Sequence, residues 1–167
     1  NDFRLLFVSD GRDAAAFAAR AASQKNLAGK FLNIGFIPPW EVSALLRSSS
    51  AVLHLEHNFP VPIHSPTQPY EAVASGTPLI ISREIFKKIE PNFPNTKSFF
   101  TAVDDPGETA GLEAVFGEFI ASPERFRVRA QKIREEYLSQ NHWECFVNFY
   151  DALFRSLAGR KRRFWRF

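Results

Sequence analysis

Residues 64–81, HSPTQPYEAVASGTPLII, carry the clearest signals of local structure in this sequence. A glycine followed two residues later by a proline is typical of a helix end, so we predict a short helix over Tyr70–Ser75 that stops at Gly76. The apolar run behind it predicts a buried strand over Pro78–Ser82. The preceding segment, from His57 to Pro69, holds four prolines and no periodicity, which predicts a long loop.

Short apolar runs alternate with helical patterns on both sides of this stretch. Such alternation favours an α/β domain in which a parallel sheet is covered by helices on both faces, a three-layer α/β/α arrangement. The other predicted strands are Arg4–Val8, Phe31–Phe36, Ala51–Leu55 and Ser98–Val103. The other predicted helices are Asp13–Ser23, Glu41–Ser48, Glu108–Ile120, Pro123–Leu138 and His142–Leu157.

Length and composition limit the class of protein. The chain has 167 residues, of which 45% are hydrophobic and 23% charged, so we predict one globular domain over residues 1–158. It has no apolar run long enough for a transmembrane helix, no secretory signal and a single cysteine, Cys145, which together favour a cytoplasmic location. Because the sequence has no methionine, we expect it to be a piece of a longer polypeptide.

The basic charge is concentrated at the end of the chain. The net charge is +3, but residues 160–167 contain five of the 21 Lys and Arg residues and no acid, which leaves 16 basic and 18 acidic residues elsewhere. We therefore expect no nucleic acid bound to the body of the domain. The tail of residues 159–167 interleaves basic and aromatic residues, which suits peripheral contact of Arg160–Phe167 with an anionic membrane face. The same composition suits RNA, a partner protein or a disordered end.

The helix and strand of the opening stretch carry a motif, E-A-x-A-x-G-x-P, formed by Glu71, Ala72, Ala74, Gly76 and Pro78. This motif resembles the donor-binding segment of retaining glycosyltransferases of the GT-B fold, the family-4-like group. The resemblance runs from about residue 4 to residue 157 and implies a Rossmann-like domain, the C-terminal half of a GT-B fold. Other similar segments, in matching order, are Leu5–Gly11, Asn33–Ile37, Leu45–Val52, Asp104–Pro106 and His142–Glu144.

The resemblance implies a site for a nucleotide diphosphate sugar, the donor substrate. Glu71 would accept hydrogen bonds from the ribose hydroxyls, and Phe36 and Ile37 would hold the base. Amides at the helix start and the Ser65 and Thr67 hydroxyls would face the diphosphate. The remaining donor-site candidates are His64, Pro66 and Gln68. No metal or other cofactor is implied, because the sequence has no Asp-x-Asp motif and a helix dipole can stabilise the phosphates.

Two positions depart from the family pattern. Ile63 occupies the place of a glutamate eight residues before Glu71, and Gln68 replaces the lysine of P-x-K-x-x-E. The family's arginine and lysine that clamp the diphosphate would lie upstream of residue 1, with the acceptor-binding domain. We therefore expect a partner N-terminal domain, a glycan, lipid or protein acceptor, and no transfer by this piece alone. The alternatives are a non-catalytic GT-B-like domain, with a regulatory or assembly role, and another GT-B enzyme such as a sugar-nucleotide epimerase.

Plainer explanations exist for several of these residues. Glu71 could only complement the helix dipole, worth about 0.3–1 kcal/mol, and Ser65, Thr67 and Gln68 could be ordinary caps. His64 could bond locally within its loop. His54 and His57 would lie on opposite faces of an extended strand, which argues against a metal site. Cys145 is expected to be a buried, inert thiol.

Overall fold

The computed structural model describes residues 3–61 and 63–164, with side chains up to residue 158. The elements are β1 Leu5–Val8, α1 Ala14–Ser23, β2 Phe31–Ile34, α2 Pro39–Ser48, β3 Val52–His54, α3 Gln68–Ser75, β4 Leu79–Ser82, α4 Arg83–Ile89, β5 Thr101–Val103, α5 Thr109–Ala121, α6 Pro123–Gln140 and α7 Trp143–Phe164. The α/β class is confirmed: short parallel strands alternate with helices, an arrangement compatible with a Rossmann-like domain although the sheets are small. The Trp165–Phe167 end of the predicted tail lies outside the described residues.

The chain divides into two compact units, Asn1–Leu45 and Leu46–Phe167. In the first unit β1 and β2 pair in parallel, with Leu5 opposite Phe31 and Val8 opposite Ile34. Helix α1 connects them, and three phenylalanine rings contact one another at centroid separations of 4.5–6.3 Å: Phe7, Phe17 and Phe31. The prediction of a single domain over residues 1–158 stays a prediction.

The second unit is organised around β4, which pairs in parallel with β3 on one side and β5 on the other. All four residues of β4 are buried, as expected of a central strand that is covered on both faces. Val52 of β3 lies opposite Leu79, and Ile80 lies opposite Thr101 of β5. The fully buried large side chains gather around this strand: Ile80, Ile81, Ile85, Ile89 and Phe93.

Helix α4, which directly follows β4, was not predicted from the sequence. Its N-cap is Ser82, whose hydroxyl accepts a hydrogen bond from the Ile85 amide at 3.3 Å. Ile85 and Ile89, four residues apart, both face the core. No turn residue separates the strand from the helix, and the helix has only seven residues, so the pattern was too short to recognise.

Helix α6 is joined to the chain before β5 by a buried carboxylate, Glu136. Its oxygens accept hydrogen bonds from the Asn95 amide at 3.1 Å, the Asn95 side chain at 2.7 Å, the Thr96 amide at 2.9 Å and the Thr96 hydroxyl. Burial raises the pKa of Glu136, but these four hydrogen bonds lower it by more, so the pKa lies below its ordinary value.

The prediction that Cys145 is buried was wrong. Cys145 lies near the start of α7 and is exposed, as is every described side chain from Asn141 to Ala158. The apolar residues of this helix suggested a core position, but no described part of the chain covers them.

Replacement of Glu136 by glutamine is expected to cost about 1–3 kcal/mol of unfolding free energy at pH 7, because the carboxamide accepts poorly from four donors. A carboxyl with a lowered pKa stabilises the fold above its unfolded pKa of about 4.3 and loses that contribution as the pH falls through its folded pKa. The stability gap between the wild type and Glu136→Gln should therefore narrow below about pH 4. Urea unfolding at several pH values between neutral and acid measures this gap.

The control for this experiment is Glu135→Gln, the neighbouring carboxyl, which is exposed and makes no described hydrogen bond. It should change the unfolding free energy by less than about 0.5 kcal/mol. A stability gap for Glu136→Gln that stays constant with pH would contradict the assigned role.

Candidate functional site

The predicted donor residues of the second unit lie in one continuous segment between β3 and β4. His64, Ser65, Pro66 and Thr67 belong to the loop that follows β3, and α3 begins at Gln68 and has Glu71 in its first turn. Helix α3 then leads into β4, which is parallel to β3. The loop and the helix start therefore lie at the carboxyl end of β3, the end at which ligands bind in open α/β sheets.

Packing accounts for two residues of the E-A-x-A-x-G-x-P motif. Ala72 is completely buried. Gly76 ends α3 with a left-handed φ of 71°, and a Cβ there would lie 2.6 Å from the Gln131 side chain of α6. Glycine adopts this left-handed conformation without strain and leaves room for the Gln131 side chain, so both features favour it here.

Packing does not explain the carboxylate of Glu71. It is exposed in the first turn of α3, and no hydrogen bond or ion pair to its carboxylate is found among the described residues. A carboxylate at this place gains a small dipole interaction, of about 0.3–1 kcal/mol. Both oxygens remain available to accept hydrogen bonds from a ligand.

The start of α3 has fewer free backbone N–H groups for binding an anion than a helix N-terminus usually has. Pro69, buried in the first turn, has no N–H. The amides of Tyr70 and Glu71 both donate to the Thr67 carbonyl, at 3.0 and 3.1 Å. The amide of Gln68 is therefore the first helix amide that can face an anion. The Thr67 side chain makes no cap hydrogen bond and is exposed, so its hydroxyl is available as well.

Gln68 forms a side-chain contact within the candidate site. Its side-chain oxygen lies 2.5 Å from Nδ1 of His54, the last residue of β3. Because an amide oxygen only accepts, Nδ1 is the donor, and Nε2 of the imidazole is buried without a partner. An unpartnered buried nitrogen at the carboxyl end of a strand is an unsatisfied group that a ligand can complete.

A second histidine, His64, forms a local pair with Glu56. Its Nε2 lies 3.1 Å from Glu56 Oε1, with less than a third of either side chain exposed. This distance is within the range of an ion pair, but the two groups are not aligned for a hydrogen bond. The Nε2 atom of His64 and the Oε1 atom of Glu56 can therefore each still form a hydrogen bond with another group. The His64 ring also stacks on Phe59 at a centroid distance of 4.0 Å. These contacts favour a role for His64 in stabilising the conformation of the loop.

The loop is fastened to α4 at two points. The fully buried Ser82 donates its hydroxyl hydrogen to the Glu56 carbonyl at 2.5 Å. Glu84 accepts from the Asn58 amide at 2.5 Å and from Lys88 at 3.2 Å, and Lys88 is the main reason that the pKa of Glu84 is lowered. Asn58 adopts a left-handed φ of 54°, which asparagine tolerates better than most residues.

The remaining predicted residues have diverse surroundings. Ser65 is exposed and Pro66 is half-buried in the loop. Phe36 and Ile37 belong to the other unit, where they follow β2; Phe36 is 73% exposed and Ile37 is half-buried. In that unit the side-chain oxygen of Asn33 is buried without a described partner.

A groove of about 420 Å³, not anticipated from the sequence, lies on the Tyr70 side of α3. Its lining is uncharged and consists of tyrosine rings and carboxamides: Tyr70, Asn92, Tyr137, Gln140 and Asn141. The Asn92 amide donates to the Tyr70 hydroxyl at 2.9 Å. Burial and the neighbouring Tyr70 raise the pKa of Tyr137, so it remains a neutral donor. The groove adjoins the start of the motif.

His54 and Glu56 were missed as site residues. The sequence indicated only that they lie at the end of a predicted strand. Their contacts with Gln68 and His64 form because the loop after β3 folds back against the end of that strand, which the sequence pattern does not show.

Within residues 3–61 and 63–164 no group of three or more His, Cys, Asp or Glu side chains is arranged to hold a metal ion. No helix in the part described is both long and apolar enough to cross a membrane.

No protein-family model matches this chain, and a search of curated proteins finds no significant match.

Replacement of Ser82 by alanine removes both the Glu56 contact and the cap of α4. We expect a loss of about 1–3 kcal/mol of unfolding free energy, together with faster amide exchange at Asn58 and its loop neighbours. Ser65→Ala, at an exposed serine of the same loop, is the matched control and should change neither quantity. Equal effects of the two substitutions would show that Ser82 does not fasten the loop.

Proposed function

We propose that this chain is the donor-binding domain of a glycosyltransferase, which binds a nucleotide diphosphate sugar and transfers its sugar to a glycan, lipid or protein acceptor. The transfer would need a second, N-terminal domain that binds the acceptor. The site would lie at the start of α3 and in the loop before it.

The observation that carries the proposal is the unpaired carboxylate of Glu71. In the motif, Ala72 and Gly76 are required by packing, whereas Glu71 is exposed and has no described partner. A ribose presents two neighbouring hydroxyl donors, and an ionised carboxylate is an acceptor with two oxygens. Glu71 therefore has the chemistry, the position and the freedom to bind a ribose.

The diphosphate would lie at the start of α3. The Gln68 amide and the positive end of the helix dipole favour an anion there, and the Thr67 hydroxyl is free to donate. As the bond between sugar and diphosphate breaks, negative charge grows on the leaving phosphate, so the same groups would stabilise the transition state more than the ground state. His54 Nε2, buried and without a partner, would complete the polar lining on the β3 side.

A second candidate is a non-catalytic domain of the same fold. It is favoured by two observations: Ile63, at the family's glutamate position, is apolar and 91% exposed, and the Gln68 side chain is bound to His54. Neither residue can supply the charge that the family has there. Such a domain would bind a nucleotide sugar without promoting transfer.

Thermal melting with added nucleotides tests the proposal. UDP, GDP, ADP and UDP-sugars are compared, and one nucleotide at ten times its dissociation constant should stabilise the chain by about 1.4 kcal/mol. For a chain of this size the expected rise in Tm is about 3–6 °C. Glu71→Ala should abolish the rise, because it removes the ribose acceptor.

The matched control is Glu113→Ala, which removes an exposed glutamate of α5 and should leave the rise intact. A rise that survives Glu71→Ala would contradict the assigned role of this carboxylate, and no rise with any nucleotide would contradict the donor site. Joined to an acceptor-binding domain, the chain should release nucleoside diphosphate when acceptor is present. Binding without release would favour the non-catalytic candidate.

A further inference from the structure

Helix α7 has a wide apolar face that nothing in the described chain covers. The helix has 22 residues, and every described side chain on it is exposed. Trp143 is 71% exposed, Phe149 63% and Phe154 62%. Monomeric soluble domains rarely expose a continuous apolar surface of this kind unless it binds something.

The apolar residues of α7 form one stripe, because they recur at intervals of three and four: Trp143, Phe146, Val147, Tyr150, Leu153, Phe154 and Leu157. Adjacent rings touch along the stripe, with centroids 5.4 Å apart for Trp143 and Phe146 and 4.5 Å apart for Phe146 and Tyr150. The opposite side of the helix is polar, with Asp151 and Arg155 joined by an ion pair at 2.7 Å.

The same helix ends in positive charge. Its backbone continues to Phe164, and the sequence places four basic residues in a row at 160–163. Residues 143–167 contain six basic and two acidic residues, against an excess of acid over base in the rest of the chain. The apolar stripe and the basic cluster therefore lie on one element, which is the composition of a helix that binds an anionic lipid surface.

We propose that α7 binds the surface of a membrane with anionic headgroups, and lies in the plane of the interface. The apolar stripe enters the boundary between headgroups and acyl chains, where Trp143 and Tyr150 are favoured as amphipathic rings. The basic residues 160–163 contact the headgroups. The helix does not cross the bilayer, since no described helix is apolar enough to do so. The proposal is independent of the nucleotide site, because vesicle binding requires no nucleotide.

Co-sedimentation of the full chain with vesicles tests the proposal. The chain should bind phosphatidylcholine vesicles that contain about one-third phosphatidylglycerol, and bind pure phosphatidylcholine at least about tenfold more weakly. Phe146→Ser combined with Phe154→Ser should weaken binding to the anionic vesicles by about thirtyfold or more. Replacement of residues 160–163 by glutamine should weaken it by roughly a thousandfold and remove the preference for anionic lipid.

The matched control is Ile120→Ser combined with Val128→Ser, two exposed apolar residues of α5 and α6 at 53% and 49% exposure. It should bind vesicles like the wild type. Since Phe146 and Phe154 are exposed, their double variant should keep the wild-type Tm, which separates loss of binding from loss of folding.

Three results would overturn the proposal. The first is vesicle binding that is unchanged by the Phe146 and Phe154 substitutions. The second is no vesicle binding together with a concentration-dependent dimer that these substitutions abolish, which would assign the face to self-association. The third is binding of single-stranded RNA, lost on replacement of residues 160–163, without any binding to vesicles.

Discussion

The second unit depends on a buried carboxylate that connects two distant parts of the chain. Glu136, in the middle of α6, accepts four hydrogen bonds from Asn95 and Thr96 and so fixes α6 against the segment that leads into β5. A buried charge is costly unless its oxygens are satisfied, and here each oxygen accepts two hydrogen bonds. The position of α6 is therefore specified by polar geometry as well as by its buried apolar residues, Phe126, Ala130 and Ile133.

The fixed position of α6 in turn fixes the end of α3. Arg134 donates to the Ala74 carbonyl at 3.0 Å, and Gln131 donates to the Gly76 carbonyl at 3.3 Å. These bonds satisfy carbonyls that a helix end leaves free. The other end of α3 is then presented at the carboxyl end of β3, facing the loop that Ser82 fastens. The contacts that fix the first turn of α3 are therefore made by other residues, and the Glu71 side chain takes no part in them.

The sequence predicted the local features of this arrangement well, because they depend on neighbouring residues. The helix stop at Gly76 and the buried strand after Pro78 have strong local signals, and both are found. Helix α4 was missed because its seven residues follow a strand without a turn. The pair of His54 and Gln68 lies 14 residues apart in the chain, so no spacing rule could indicate it. Cys145 was misplaced because an amphipathic pattern shows that a helix has an apolar face and not what covers it.

The motif supports a ligand site only through those of its residues that the fold does not already require. A short helix that ends under α6 and leads into a buried strand needs a small residue at Ala72 and a left-handed residue at Gly76, whatever the protein does. Those positions support the fold and say little about a ligand. Glu71 is different, because neither packing nor a described hydrogen bond requires a carboxylate there, and a dipole interaction would accept aspartate or many other residues at small cost. The functional interpretation therefore depends on this one exposed side chain, and substitutions at Ala72 or Gly76 would test only the fold.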